Sequence, residues 1–218
     1  MRLSLPLPVL LKKIALATVG LAICAVGNFM TMKANIGHSP WNALYLGLTN
    51  YIPLSYGQVS IVVGILITFI ALALKEPIGL GTVMDYVLVG LFCDLYEAIG
   101  LFPVIQNYAL GVVVMLLGMA VQSVSQVLYM SAGLSCGPRD AMMVGLGKRV
   151  RKVPIGAVSV TINLTAAAVG FLMGGSVGLG TILFMVAGGV IMQTVFHLLR
   201  FEPRDVVHMG FHQLFTKR

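Results

Sequence analysis

Charge is scarce in this chain. Asp, Glu, Lys and Arg together make up 10% of the 218 residues, where a soluble domain carries about a quarter. With 58% hydrophobic residues and a mean hydropathy of +0.97, there is too little polar surface to cover a water-soluble fold of this size. Lipid is therefore the solvent for most of the chain. Cysteine is scarce too: Cys24, Cys93 and Cys136 are odd in number and lie in or near apolar runs, which excludes a disulfide framework or a metal cluster and leaves them as packing residues. The four histidines are scattered or terminal, and there is no HExxH, no phosphate loop and no nucleophile–base set. No enzyme and no cofactor are expected on that ground. Nor does the net charge of +7 point to nucleic acid, since the basic residues do not line a polar face with interleaved aromatics.

What the chain has in quantity is long apolar runs. Lys12 and Lys13 precede the charge-free run 14–32 as they would a secretory signal, but its 19 residues exceed a signal core and suffice to span, so it is read as a retained helix. Residues 34–74, 98–138 and 153–199 carry no Asp, Glu, Lys or Arg. Windows within them predict helices near 57–74, 108–131, 156–173 and 179–199, and a further one near 79–98 holds Asp85 and Asp94. Six spans starting from the cytoplasm place thirteen basic residues inside and only Lys33 outside, a strong positive-inside signal. Tyr45, Tyr51, Tyr56, Tyr96 and Tyr108 then fall near the outer face as an interfacial belt.

Two stretches remain, 37–48 and 136–147, each of about 12 residues. Helices of that length reach roughly 18 Å, short of a hydrocarbon core of about 30 Å. They are read as re-entrant or interfacial half-helices, each opening on a proline suited to a first helical turn.

The chain also repeats. At an offset of 98 to 99 residues Gly20 meets Gly118, Asn28 meets Gln126, Pro40 meets Pro138, Ser60 meets Ser159, and Gly79-Leu80-Gly81-Thr82 meets Gly178-Leu179-Gly180-Thr181. Each copy holds three long spans, an odd number, so the second copy sits inverted relative to the first. Loop charge agrees: 49–56 has none, while its counterpart 147–154 has four basic residues. Inverted repeats with broken helices are the architecture of many secondary transporters, whose substrate sits between the repeats near the midplane.

The adjacent Arg139 and Asp140 have two readings. As part of a half-helix entering the membrane, Asp140 complements the helix dipole and neutralises Arg139. Alternatively both lie at headgroup level, Arg139 as one more cytoplasmic cation and Asp140 as a cap.

Gly37-His38-Ser39-Pro40-Trp41-Asn42, Gly79-Leu80-Gly81-Thr82, Gly137-Pro138-Arg139-Asp140 and Gly174 to Thr181 make the chain resemble the YczE and YitT group of bacterial multi-pass membrane proteins, over about residues 14–200. The resemblance implies a plasma-membrane protein, with transport or export of small molecules among its suggested activities. The group's pattern reads closer to Gly-Ala-Gly-Pro-Arg-Asp where this chain has Ser135-Cys136-Gly137. It often adds an Arg and a Glu in the following helix, where Asn163 is here the only strongly polar side chain.

Ionisable residues within spans are functional candidates by default. Asp85, about two turns into its helix, is either a proton carrier or a bonding partner for nearby backbone. Asp94 and Glu97 lie nearer the outer end. Asn28 and Gln126, equivalent under the repeat, are either interhelical glue or pathway residues.

The expected fold is thus an all-α integral membrane protein: six transmembrane helices as two inverted three-helix repeats, 14–100 and 108–200, each with a short re-entrant or interfacial half-helix, then a cytoplasmic tail, 201–218. The expected function is a small secondary transporter or exporter in the bacterial plasma (inner) membrane, with both termini cytoplasmic and proton coupling through Asp85. The alternative is a non-transporting component that assists or regulates a neighbouring system. Expected pathway residues are Asn28, Ser39, Pro40, Trp41, Asn42, Asp85, Asp94, Gln126, Pro138, Arg139, Asp140 and Asn163. Expected partners are the bilayer, a small-molecule substrate and a second copy of the chain.

Overall fold

A computed structural model of the protein describes residues 2–3, 6–76, 78–135, 137–150, 152–153, 155–201, 206 and 209–216, without side chains at 2–3, 140, 144, 155–157, 159, 212 and 214–216. Cys136 lies outside the described residues. Helix dominates. Six helices are long: α1 (Leu7–Lys33), α3 (Tyr56–Ala73), α4 (Leu80–Ala98), α5 (Tyr108–Ser131), α7 (Ile155–Leu172) and α8 (Leu179–Leu198). Two shorter ones, α2 (Pro40–Thr49) and α6 (Pro138–Arg149), fall at the two stretches too brief to span, and a single turn, Phe211–Leu214, completes the helices among the described residues. Of the long helices α1, α3, α5 and α8 are long and apolar enough to cross a membrane.

The starts follow local chemistry. Ser55 and Gln58 form a reciprocal capping box ahead of α3, the Asn107 side chain accepts from Leu110 N ahead of α5, and Ser39 accepts from Asn42 N ahead of α2. Pro40 and Pro138 occupy first-turn positions where no N–H is needed. Helix α1 begins earlier than the charge-free run, at Leu7, so Lys12 and Lys13 are helical. The ammonium of Lys13 folds back to donate to Ala132 O at 2.6 Å, at the end of α5, which satisfies a terminal carbonyl.

At the middle of the molecule α1 and α5 pack along their lengths. Glycine permits it: a Cβ added at Gly27 would lie 2.6 Å from Gly118 O, and one at Gly118 would lie 2.8 Å from Gly27 O. Around this axis the halves interlock. Helix α2 packs on α7 and α6 packs on α3, so each short helix is held by a long helix from the other half.

The Gly-Leu-Gly-Thr corners are interlocked in the same way. Gly81 N donates to Leu134 O at 2.8 Å, and Gly180 N donates to Ile36 O at 2.7 Å. Thr82 and Thr181 each accept from the glycine N–H that opens their own helix, Gly79 and Gly178. Thr82 Oγ1 also meets Ser135 Oγ at 3.0 Å, while Thr181 Oγ1 donates to His38 O at 2.6 Å. Each corner thereby clamps the segment that leads into the opposite half's short helix. Those two segments share an unusual backbone: Gly37 has φ +109° and Ser135 has φ +108°. Glycine takes that conformation freely, whereas Ser135 holds it at a cost of about 1–3 kcal/mol.

Charges sort to two ends. Lys33 pairs with Glu97 at one, and Lys148 pairs with Glu76 at the other, both at 2.7 Å. The segment expected as a cytoplasmic tail packs on the rest of the chain in its described part: Met209 N donates to Gly133 O and Phe211 N to Ile78 O, both at 3.0 Å. A two-residue pairing of β1 (Arg2–Leu3) with β2 (Phe215–Thr216) joins the two termini, a small addition to the all-α expectation.

Candidate functional site

The N-terminal ends of α2 and α6 meet. Arg139, in the first turn of α6, places its guanidinium carbon 5.6 Å from the centroid of the Trp41 ring, in the first turn of α2. Trp41 also donates its Nε1–H to Asn163 Oδ1 on α7 at 3.0 Å. A small pocket of about 30 Å³, room for one or two waters, adjoins this contact and is lined by Asn28, Asn42, Asp85, Pro138 and Arg139 among others.

Polar groups around the pocket form a closed ring. Asn28 Nδ2 donates to Tyr56 Oη at 2.8 Å, Tyr56 Oη donates to Asn42 Oδ1 at 2.9 Å, and Asn42 Nδ2 donates to Asn28 Oδ1 at 2.8 Å. Three helices, α1, α2 and α3, are tied by one cycle in which every member donates and accepts once. Such a closed set polarises cooperatively and leaves no group of the ring unpaired in a low-dielectric interior. Tyr45, itself buried, stacks edge-on against Tyr56 with ring centroids 5.8 Å apart.

Asp85 is 8% exposed and sits on α4 at the other side of the pocket. A Cβ built on Gly137 would fall 2.8 Å from Asp85 Oδ2, so the carboxylate lies against the residue that caps α6. A helix N-terminus favours a negative charge beside it, which offsets part of the desolvation of the carboxylate.

The expected pathway residues divide accordingly. Asn28, Asn42, Asp85, Pro138 and Arg139 line one pocket, with Trp41 packed on it and Ser39 and Pro40 building the start of α2. Asp94 is elsewhere: its Oδ1 accepts from Gly57 N at 2.8 Å and its Oδ2 accepts from Ser55 Oγ, so it caps α3. Gln126 and Asn163 line a different cavity, between α5, α7 and α8. The side chain of Asp140 lies outside the described residues.

Tyr56 and Tyr45 do not fit the interfacial belt expected of them. Both turn inward, while Tyr51 and Tyr108 stay exposed as a belt requires. One signal was available for Tyr56: Gly57, Ser60 and Gly64 at helical spacing mark the packed face of α3, and Tyr56, four residues before Ser60, lies on it.

Residues 11–197 match the family described as Family of unknown function (DUF6198). The chain belongs to it. It is 33% identical over 180 residues to "Uncharacterized membrane protein YczE" of Bacillus subtilis (strain 168), a match that covers 80% of each chain. It is 28% identical over 192 residues to an "Uncharacterized protein" of Haemophilus influenzae, covering 88% of this chain and 87% of that one. "Uncharacterized protein YyaS" of B. subtilis is 24% identical over 177 residues, covering 80% of this chain and 87% of the relative. No solved structure matches. The YczE-like resemblance drawn from the glycine and proline motifs is therefore correct, and the protein is a membrane protein of that family with several apolar helices.

Proposed function

We propose that this YczE-like chain is a small carrier of the bacterial plasma membrane, with six spans in two inverted halves and solute passage controlled where α2 and α6 meet. The observation that carries this reading is the contact of Arg139 with Trp41: two proline-led half-helices, one from each half, bring their N-terminal ends together beside a polar pocket. The cross-half packing of α2 on α7 and α6 on α3 supports the inverted arrangement, because a two-fold relation between halves generates such reciprocal pairs. The distribution of basic residues supports cytoplasmic termini. Asp85 is the proposed proton carrier, being a buried carboxylate at a helix start within the pocket. No catalytic role is proposed, and a homodimer is proposed as the working form.

Purified protein in sealed vesicles tests this. An imposed pH gradient drives uptake of the transported solute in the wild type, and Asp85→Asn removes the dependence on the gradient while the protein still folds and inserts. If every candidate solute crosses at the rate of protein-free vesicles, the carrier reading fails. Cysteines placed at Tyr51 and Lys152 label from opposite sides of the membrane; labelling from one side ends the inverted arrangement.

The small size of the central pocket favours a second reading. About 30 Å³ accepts water but no organic solute, which suits a component that assists or regulates a neighbouring system without carrying anything itself.

A further inference from the structure

The space missing from the centre is found beside it. Between α5, α7 and α8 lies a cavity of about 340 Å³, within the size range of about 300–1,000 Å³ typical of small-molecule sites. Its polar wall comprises Gln122, Ser123, Gln126 and Asn163; methionines and Phe184 supply much of the apolar wall, and among the described residues no Asp, Glu, Lys or Arg lines it.

Gln122 Nε2 and Gln126 Oε1 are buried with no hydrogen-bond partner among the described residues. They are a donor and an acceptor one helical turn apart on the same face of α5. Unpaired polar atoms are unfavourable in a protein interior, and more so where lipid is the surrounding solvent. Both side chains belong to the cavity wall, so a rotation of each amide toward the cavity lets a guest that offers an acceptor and a donor satisfy them together.

Comparison of the two halves explains why the cavity exists. In the first half α3 and α4 are in close contact: a Cβ at Gly90 would lie 2.7 Å from Gly57 O, and one at Gly64 would lie 2.4 Å from Tyr86 Cβ. One repeat-length on, Gly189 stands for Gly90, Asn163 for Gly64, Gln126 for Asn28 and Phe184 for Asp85. Among the described residues a Cβ at Gly189 meets nothing within 4 Å, and α7 barely touches α8. The second half has thus opened the cleft that the first half closes, and has put an aromatic ring where the first half has a carboxylate.

We infer that the α5–α7–α8 cleft is a binding site for a neutral small molecule bearing an amide- or hydroxyl-type donor and acceptor on an apolar body. Charge is disfavoured there because no counter-ion lines the wall. Such binding stands independently of the carrier reading; if the chain transports, this is where its solute rests.

Trp41 provides the reporter. It is the one tryptophan of the chain, and its indole is hydrogen-bonded to Asn163 in the cleft wall. The full chain in lipid nanodiscs is titrated with 3-bromobenzamide, whose bromine quenches nearby indole fluorescence, and with the anion 3-bromobenzoate. Expected is saturable quenching by the amide and an apparent affinity at least about tenfold weaker for the anion. Gln126→Leu, which removes an unpaired acceptor and leaves the fold intact, weakens the amide by about tenfold, the loss of roughly one hydrogen bond. Gly189→Phe fills the cleft without removing a hydrogen-bonding group and abolishes saturation. Quenching that rises linearly and equally for both probes, or that ignores both substitutions, reflects partition into lipid and overturns the site. So does cross-linking of two chains through Gly189→Cys with no quenching by either probe, which would make the cleft an interface between copies.

Discussion

Gly90→Ala should lower the thermal unfolding temperature sharply, and Gly189→Ala should leave it unchanged or raise it slightly. The two glycines are counterparts in the repeat and equal in chemistry, so only their surroundings can separate them. A methyl group at Gly90 would sit 2.7 Å from both Gly57 O and Ser60 Oγ, and the reciprocal Cβ at Gly57 would sit 2.2 Å from Gly90 O. A backbone carbonyl cannot rotate aside, so α3 and α4 must separate and give up their packing. Overpacking of that kind costs about 1–3 kcal/mol and more where backbone has to move. At Gly189 the same methyl meets nothing within 4 Å among the described residues, and replacing a helical glycine by alanine gains about 0.4–1 kcal/mol by restricting the unfolded chain. Fluorescence-detected size exclusion after heating, on detergent-solubilised protein, reads both effects. Equal losses from the two substitutions would mean that α7 and α8 close as α3 and α4 do, and the cleft between them would not exist.

Asn42→Leu should be the most damaging single change at the central pocket. Asn42 is 2% exposed and takes part in two of the three hydrogen bonds of the ring. A leucine there leaves Asn28 Oδ1 without its donor and the Tyr56 hydroxyl without its acceptor. Each such orphan costs about 1–3 kcal/mol in a protein interior. Interhelical hydrogen bonds in membranes tend to be worth less, about 0.6 kcal/mol and at most about 1.7. The combined loss is therefore set at about 2–3 kcal/mol. Tyr56→Phe removes one hydroxyl and also breaks the ring, but Asn28 Nδ2 keeps a contact with Cys93 Sγ at 3.7 Å, so the loss is smaller. In the double variant the losses do not add, since a ring opened once has no cycle left to break. Because both variants remove the Tyr56–Asn42 bond, three independent bonds would still make the double variant clearly worse than Asn42→Leu alone; a double loss no larger than that of Asn42→Leu shows a cooperative set.

Much of the helical layout was legible because apolar length and charge gaps are local properties. The expected spans near 57–74, 108–131 and 179–199 became α3, α5 and α8 with ends shifted by a residue or so, and the two proline-led stretches became α2 and α6. Asp94 shows where that reading stops. As an acidic residue in an apolar helix it looked like a pathway group; in the fold it caps α3, a role set by a helix start that lies far from it in sequence. The same holds for Tyr56, whose hydroxyl belongs to a ring assembled from three helices.

By itself, then, the sequence determined that lipid surrounds this protein and that two of its helices are too short to span. Hydropathy, spacing and length suffice for those, since each is fixed by neighbours along the chain. Only the tertiary structure decided that Arg139 reaches Trp41, that Asn28, Asn42 and Tyr56 close a ring, and that equivalent glycines sit in a tight crossing in one half and an open cleft in the other. The reason is that apolar length and helix-start signals act along the chain, while a few side chains at the helix crossings, such as Asn163 on α7 and Gly64 on α3, determine how closely each pair can approach.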